Sequence, residues 1–315
     1  MYEIEILEGL LIFFLYDIIV LGSDIMELVK VGERTYYIKN PTNIGIYKID
    51  DNNVYLIDAG NDKEAGKKIL KIVEEEGWSV KGIITTHSNA DHVGGNKVIQ
   101  DRTNCVILAN GIEKCITEFP ILEPSFLYGG FPFDDLRNKF LLAKESKVEY
   151  IDNNLPEGLE YFNLKGHFFD MIGIKTSDDV YFLADSLFSE ETISKYHLFF
   201  IYDVKEYLNT LDYLSGLDGK LFIPSHCEAT KDISKFIELN RNKINEIMDK
   251  IIEICKKEIC FEDVMKGIFD EYNLVMNPGQ YVLVGSTIRS YLSYLHGEGK
   301  LQYEFKDNKM YWKAN

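Results

Sequence analysis

A chain of 315 residues, of which 46% are hydrophobic and 13% aromatic, is long enough for a large folded domain with a smaller one beside it. That composition excludes a disordered or low-complexity protein. The formal net charge of −17 argues against binding of nucleic acid through a basic surface, which depends on clustered Lys and Arg. The five cysteines are scattered and form no Cys-x-x-Cys pair, which favours a reducing cytoplasm over a disulfide framework.

The first 25 residues contain an apolar run, Leu10 to Leu21, that fits neither a secretory signal nor a membrane span. Acidic residues precede the run where a signal has basic ones, Asp17 interrupts it, and it is shorter than the roughly 20 residues that cross a bilayer. We therefore expect no membrane span. Residues 1–25 are predicted to be an extension outside the fold, with an amphipathic surface helix as the alternative.

Alternating apolar runs and turn residues predict an antiparallel meander between Met26 and Asp58. Apolar residues at helical spacing then predict a helix over 63–76, and a buried strand is expected over 80–86. A second cycle of helix, strand and helical stretches runs to about Lys144. Its middle, residues 119–133, is rich in aromatic residues, proline and glycine, which predicts a long loop.

Four further strands are expected between residues 148 and 184, followed by a helix near residue 204 and a strand at 221–223. Two rounds of strands with intervening helices indicate two packed sheets with helices outside. After Thr230 the pattern changes to three helices and a polar hairpin, which is typical of a winged helix. The predicted units are the extension 1–25, a catalytic domain over 26–232 and a helical C-terminal domain over 233–315.

The segment from His87 to Asn96 lies where an apolar strand ends and a helix begins, a common position for ligand sites. His87, Asn89 and Asp91 alternate along extended chain, and His92 follows at the turn. Two more histidines, His167 and His226, also stand where predicted strands end, whereas His197 and His296 do not. Imidazole and carboxylate groups converging from separate strand ends are what a zinc or iron site requires.

These motifs resemble the metallo-β-lactamase superfamily, whose signature is His-x-His-x-Asp-His, then Gly-His, an Asp and a last His. The matching segments are His87-Ser88-Asn89-Ala90-Asp91-His92, Gly166-His167, Ala184-Asp185-Ser186 and Pro224-Ser225-His226, with Asp58-Ala59-Gly60 at the turn that precedes the metal loop. The resemblance covers roughly residues 26–230 and implies an α/β fold, a four-layered αββα sandwich, followed by the winged-helix-like C-terminal domain.

The resemblance also implies a metal centre and a reaction. Its ligands would be His87, Asn89 and His167 for site one, Asp91, His92 and His226 for site two, and Asp185 shared by both. Asp91 and His92 are the expected catalytic residues. One or two divalent ions are expected, zinc first, with iron or manganese as alternatives. Such ions activate water and polarise a carbonyl or phosphoryl oxygen, so the implied activity is hydrolysis.

Asn89 stands where the family pattern has histidine, and its amide oxygen is a weaker ligand for zinc than imidazole. We therefore expect between one and two metals per chain. Asp170, three residues after His167, is a candidate to compensate by orienting a ligand or binding the first metal, and turn capping is the alternative.

The charge favours a small ester, thioester or lactam-like substrate. The alternatives are a metal-dependent nuclease or phosphodiesterase, which needs a basic track to the metals, and a non-catalytic sensor with a structural metal. The aromatic C-terminal region is expected to pack on the catalytic domain or on a second subunit, so a homodimer is one arrangement to test.

Overall fold

The structure is a computed structural model that describes residues 26–315. The expectation for residues 1–25 lies outside the described residues. Among residues 26–315, no helix combines the length and the apolar character that crossing a bilayer requires.

The first sheet has seven strands in the order of the sequence. The first four strands form the predicted antiparallel meander, and the fourth, fifth, sixth and seventh pair in parallel. The tight turn after the third strand is held by Asp50, whose carboxylate accepts hydrogen bonds from the backbone N–H groups of Asn52 and Asn53. The strands are β1 (Glu27–Lys30), β2 (Thr35–Lys39), β3 (Ile44–Lys48), β4 (Asn53–Ile57), β5 (Ser79–Thr85), β6 (Val106–Ala109) and β7 (Glu149–Tyr150).

The outer face of this sheet is covered by helices that cross between its parallel strands. The first begins after Asp62, whose side chain accepts from the N–H groups of Glu64 and Ala65, and it buries an apolar face that includes Ile69 and Val73. The helices that follow β4, β5 and β6 are α1 (Lys63–Glu75), α2 (Ala90–Val93), α3 (Asn96–Thr103) and α4 (Gly111–Glu118). They are followed by α5 (Leu122–Tyr128), whose Leu127 packs in a separate small cluster with Leu136 and Val282, and by a 3₁₀ turn at Asp134–Leu136.

The second sheet has four strands in the order β11, β10, β9, β8 and packs on the inner face of the first. Ile57 and Ile84 of the first sheet share one buried cluster with Ile174 and Phe182 of the second. Its strands are β8 (Leu159–Asn163), β9 (Ile172–Thr176), β10 (Val180–Phe188) and β11 (Leu221–His226), and its helices are α6 (Glu190–Tyr196) and α7 (Val204–Ser215). The predicted four-layered αββα sandwich is confirmed.

The C-terminal region contains three helices and a small sheet in which the last two strands form the predicted hairpin. Its elements are α8 (Ser234–Ile254), β12 (Ile259–Cys260), α9 (Phe261–Glu271), α10 (Pro278–Gly297), β13 (Leu301–Lys306) and β14 (Lys309–Ala314). Helix α10 begins at Pro278 because the side chain of Asn277 caps it and a proline is well suited to the first helical position. The winged-helix assignment stays a prediction.

One buried cluster runs through the second sheet and the C-terminal helices. It contains Leu187 and Tyr207 from the sandwich together with Ile244, Ile288 and Tyr291 from α8 and α10. The division at residue 232 therefore crosses a continuous core, and it stays a prediction about the chain's organisation.

Two helices were not expected. Helix α5 lies in the segment predicted to be a loop; it has Glu123 and Pro124 in its first turn, where a proline is tolerated, and it ends at Gly129 with a φ of 80°. Helix α6 follows Ser189, whose hydroxyl accepts from the N–H of Thr192. Both helices lie beside the metal loop or at the end of β10, so they matter for the site.

Candidate metal centre

The metal loop follows β5 directly. His87 is buried, Asn89 precedes helix α2, and Asp91 and His92 lie in the first turn of that helix. The loop is held by Asp58 at the end of β4, whose carboxylate accepts from the N–H and hydroxyl of Thr86 at 2.8 Å each. Gly95 allows this packing, because a Cβ there would lie 2.1 Å from the carbonyl oxygen of Ala59.

Special backbone conformations bring His167 and Asp185 to the same edge of the sandwich. Gly166 has a φ of 116°, and a Cβ at that position would lie 2.2 Å from the backbone nitrogen of Tyr207. Ala184 has a φ of 48°, and the pairing of β10 with β11 shifts register at this residue. Such a conformation is strained for a residue with a side chain and is typical of functional sites. It immediately precedes Asp185.

The sequence-predicted ligands meet in two groups that share Asp185. The ligand atoms of Asp91, His92, Asp185 and His226 all lie within 4.8 Å of one another, as do those of His87, His167 and Asp185. One Asp185 oxygen, Oδ1, is 3.1 Å from His92 Nε2, while Oδ2 is 3.1 Å from His226 Nε2 and 3.7 Å from His167 Nε2. Their use as metal ligands is part of the function proposed below.

Each imidazole is oriented by an acceptor on its Nδ1. His92 Nδ1 donates to Asp58 Oδ2 at 2.8 Å, His167 Nδ1 donates to the Phe200 carbonyl at 2.9 Å, and His226 Nδ1 donates to the Pro41 carbonyl at 3.0 Å. His87 Nδ1 lies 3.1 Å from the Thr86 hydroxyl, which itself donates to Asp58. When a ring carries a single proton and holds it on Nδ1, the lone pair of its Nε2 points inward, as metal-binding histidines require.

Several of these inward atoms have no hydrogen-bond partner although they are buried. They are His87 Nε2, His92 Nε2 and Asp185 Oδ1. The Asn89 side-chain oxygen lies 3.2 Å from His167 Nε2 while its amide nitrogen donates to Glu123, and with the His167 proton on Nδ1 neither of these two atoms has a hydrogen to donate. Two acceptors therefore face each other across the first group. Buried acceptors need a partner, and a cation between them supplies it. The residues fit a divalent metal ion.

The two groups differ in their electrostatics. Burial and the neighbouring His92 lower the pKa of His87 well below its usual range, and burial also lowers the pKa of His167. Burial acts in the same direction on His226, but Asp185 and Asp91 outweigh it and raise the pKa of that imidazole to about 10. The first group thus offers neutral imidazoles, whereas the second attracts positive charge, which protons or a metal ion can supply.

A cavity of about 1,050 Å³ opens over the two groups. Asn89, Asp91, His167, Asp185 and His226 line its floor. Its polar side includes Tyr37, Lys39, Asn43 and Ser225, and its apolar side includes Phe199, Phe200, Phe236, Leu239, Leu283 and Val284. The last four belong to helices α8 and α10, so the C-terminal region forms part of the site's enclosure.

Asp170 does not have the compensating role suggested for it. Its carboxylate pairs with Lys165 at 2.7 Å and accepts from the Ile112 N–H at 3.0 Å, so it anchors the start of α4 and not a ligand imidazole.

Cys227 is buried and donates to the Leu187 carbonyl, and burial raises the pKa of its thiol to about 12. A thiol in that state is a packing group and not a nucleophile.

Two buried carboxylates beside the metal loop were missed from the sequence. Glu123 of α5 accepts from the Asn89 amide at 2.6 Å, and burial raises the pKa of its carboxyl well above the usual range. Glu113 of α4 accepts from the N–H and hydroxyl of Ser88, and burial raises its pKa to about 7. Glutamate is almost never fully buried unless it is paired, so glutamates within apolar helices were the available signal.

Residues 38–226, more than half of the chain, match the Metallo-beta-lactamase superfamily. The chain belongs to this superfamily. Its family and fold are thereby confirmed as predicted, and the reaction class that goes with the family is metal-dependent hydrolysis.

Curated relatives in this superfamily match part of the chain. A hydroxyacylglutathione hydrolase of Rhodopseudomonas palustris (strain BisB18) is 30% identical over 149 residues, which are 45% of this chain and 50% of that protein. A hydroxyacylglutathione hydrolase of Nitrobacter hamburgensis is 28% identical over 127 residues, 40% of this chain and 41% of that protein. The chain thus spans half or less of the length of these relatives.

Solved structures share the fold over nearly the whole chain. A beta-lactamase domain protein from Burkholderia ambifaria superposes with a TM-score of 0.68 at 15% identity, covering 92% of this chain and 94% of that one. A metallo-beta-lactamase family protein from Thermus thermophilus gives a TM-score of 0.67 at 16% identity, covering 92% and 98%. At such identities the likeness concerns the fold alone.

The variant Asn89→His restores the family pattern and is expected to strengthen metal binding at the first group. Imidazole is a better zinc ligand than an amide oxygen, and its second nitrogen could donate to Glu123. We expect the metal content per chain to rise toward two, with at least about tenfold tighter binding of the weaker ion. Elemental analysis and chelator competition measure both. Asn40→His, in the lining of the cavity, is the matched control and should leave the metal content and the affinity unchanged. If Asn89→His also left both unchanged, Asn89 would not be a ligand of the first group.

Proposed function

We propose that this chain is a metal-dependent hydrolase that cleaves a small acyl ester or thioester, with zinc as the first candidate metal. Asn89, His87 and His167 would hold one ion, and Asp91, His92 and His226 the other, with Asp185 between them. The observation that carries the proposal is the convergence of buried lone pairs without partners, described above, on the floor of a large cavity.

Each residue has a distinct part in this chemistry. When bound, one or two divalent ions polarise a substrate carbonyl oxygen and lower the pKa of water toward neutrality. Asp185 lies between the two halves, because its Oδ2 is 3.1 Å from His226 Nε2 of one and 3.7 Å from His167 Nε2 of the other. Asp91 is 42% exposed, and His92 and His226 lower the pKa of its carboxyl against the effect of burial, so it stays ionised and orients water as a hydrogen-bond acceptor.

The centre is shielded on one side by aromatic rings. Phe188 stacks on His226 with ring centroids 5.8 Å apart and contacts His167 at 5.9 Å, and Phe200 contacts His167 at 5.6 Å. These rings exclude bulk water from the buried side of the site, which strengthens its electrostatic interactions. Water and substrate therefore reach the site from the cavity.

The cavity favours a substrate with one apolar and one polar part. Half-buried Phe236, Leu239 and Leu283 leave apolar surface facing the cavity, where an acyl group could bury it. The same lining includes the polar residues Tyr37 and Ser225, which a polar leaving group could contact. The name of the curated relatives, hydroxyacylglutathione hydrolase, supports a thioester as the first class to test.

The cavity gives less support to a polyanionic substrate. Lys39 is paired with Glu228 at 3.5 Å and Lys235 with Glu190 at 3.7 Å, so two of the lysines at its rim carry acidic partners. Together with the net charge of −17, this pairing disfavours a phosphodiester backbone.

The test measures metal content per chain beside hydrolysis of four substrate sets: acyl thioesters, acyl esters, lactams and RNA. We expect thioester or ester cleavage that is lost with a chelator and restored by Zn²⁺, with preference for apolar acyl groups. RNA cleavage that weakens steeply with salt would replace the proposal with a nuclease. Metal binding without cleavage of any set would favour the sensor alternative.

A further inference from the structure

Glu123 is a buried carboxylate that touches the metal centre without joining either ligand group. Its side chain is only 3% exposed, and its Oε1 accepts the Asn89 Nδ2 hydrogen bond at 2.6 Å. The two groups of mutually close ligand atoms among the described residues do not include it. Its contact with the centre therefore runs through the one ligand position at which this chain departs from its family.

The orientation of the Asn89 amide decides what this position can do. With Nδ2 toward Glu123, the amide oxygen lies 3.2 Å from His167 Nε2. His167 Nδ1 donates its proton to the Phe200 carbonyl, so the lone pair of His167 Nε2 points at the amide oxygen. Both atoms are then free to coordinate one cation.

A rotation of the amide by half a turn would reverse this arrangement. The amide nitrogen would donate to His167 Nε2, and the two groups would satisfy each other without an ion. An ion would have to break that hydrogen bond before binding. Glu123 opposes the rotation, because its Oε1 accepts from the Asn89 amide nitrogen at 2.6 Å and that hydrogen bond would be lost if the amide oxygen faced it.

We propose that Glu123 is a positioning residue that locks the Asn89 amide with its oxygen toward the first metal position. The inference rests on the proposed metal centre and extends it. An amide ligand needs such a lock, whereas imidazole presents a donor atom by its own geometry. Glu123 thus fixes the orientation of the donor atom, which a histidine at position 89 would not need.

The test is a double-mutant cycle read by metal affinity. The variants are Glu123→Leu, which removes the acceptor at similar size, Asn89→Ala, and the pair combined. The metal-free proteins are titrated with Zn²⁺ against a chromophoric chelator, and with Co²⁺ while its visible absorption is followed. We expect Glu123→Leu to weaken the less tightly held ion by about 10- to 100-fold. In the Asn89→Ala background the same change should have no further effect.

The variant Glu123→Gln offers both an acceptor and a donor, so it satisfies the Asn89 amide in either orientation and no longer opposes the rotation. We expect it to weaken the less tightly held ion, by a smaller factor than Glu123→Leu. Circular dichroism checks the fold of each variant. Should Glu123→Leu not fold, Glu123→Gln alone decides, because an unchanged affinity there would overturn the proposal. Unchanged affinity in Glu123→Leu, or equal weakening in the Asn89→Ala background, would also overturn it. If the unmodified protein binds no ion at the first position, the metal centre itself fails, whereas an unidentified substrate leaves this test unaffected.

Discussion

Replacing Asp185 with asparagine is expected to remove both the metal ions and the hydrolytic activity. Asp185 belongs to both ligand groups: its Oδ1 lies 3.1 Å from His92 Nε2, and its Oδ2 lies 3.1 Å from His226 Nε2 and 3.7 Å from His167 Nε2. Asparagine keeps the shape but loses the charge and one of the two oxygens. Losing the several kcal/mol of charge stabilisation that a metal provides corresponds to about a thousandfold in rate or more. Elemental analysis and steady-state kinetics on the best substrate of the panel measure the two effects.

Asp170→Asn is the matched control for this prediction. Asp170 lies three residues after His167, yet its carboxylate is engaged by Lys165 and by the Ile112 N–H. We expect its metal content to be unchanged and its rate to stay within about threefold of the unmodified protein, as for a substitution outside the reacting groups. An Asp185→Asn protein that keeps its ions and its rate would remove Asp185 from the centre.

The ligand residues could be predicted from the sequence because they follow recognisable apolar runs. His87 comes just after β5, His226 is the last residue of β11, and Asp185 follows the run 180–184 within β10, where the pairing with β11 shifts register. Strand ends on one edge of a sandwich are neighbours in space, so the local pattern carried information about a distant contact. Asp58 was recognised only as part of a turn, although it orients His92.

The supporting residues could not be predicted in the same way. Two of the imidazoles are oriented by main-chain carbonyls, those of Pro41 and Phe200, and every residue type has a carbonyl. Glu123 lies 34 residues beyond Asn89 in a segment whose prolines and glycines predicted a loop. Its helix forms because Pro124 falls in the first turn, the one place where a helix tolerates proline.

The packing of the C-terminal region on the sandwich could not be predicted from the sequence either. An amphipathic helix reveals that it has an apolar face but not which surface covers it. Asn240 of α8 illustrates the difference, since its buried amide donates to the carbonyl of Phe188 and accepts from the N–H of Phe188. It thereby fixes the end of β10, three residues after Asp185, from a helix predicted to belong to a separate domain.

Deleting residues 231–315 is therefore expected to prevent folding and not merely to trim the protein. The deletion uncovers Leu187, Tyr207 and Leu211, which are buried in the cluster they share with Ile244 and Ile288. Exposing one large apolar side chain to water costs about 1.5–3 kcal/mol. The cost for several of them is comparable to the free energy of unfolding of a typical domain, roughly 5–15 kcal/mol. The truncated chain should be aggregated or unfolded by gel filtration and circular dichroism, with no metal bound.

Phe305→Ser provides the control, because Phe305 belongs to the same C-terminal region but is 68% exposed. That substitution should change the midpoint of thermal unfolding by no more than a degree or two, as surface changes of about 0.5 kcal/mol do. A monodisperse chain ending at Thr230 that melts cooperatively and binds Zn²⁺ would contradict the shared core. That outcome would mean that the sandwich folds independently and holds a complete metal centre. Helices α8 and α10 would then contribute only the apolar side of the cavity. If the truncated chain does not fold while Phe305→Ser does, the apolar side of the cavity and the end of β10 both depend on the C-terminal helices.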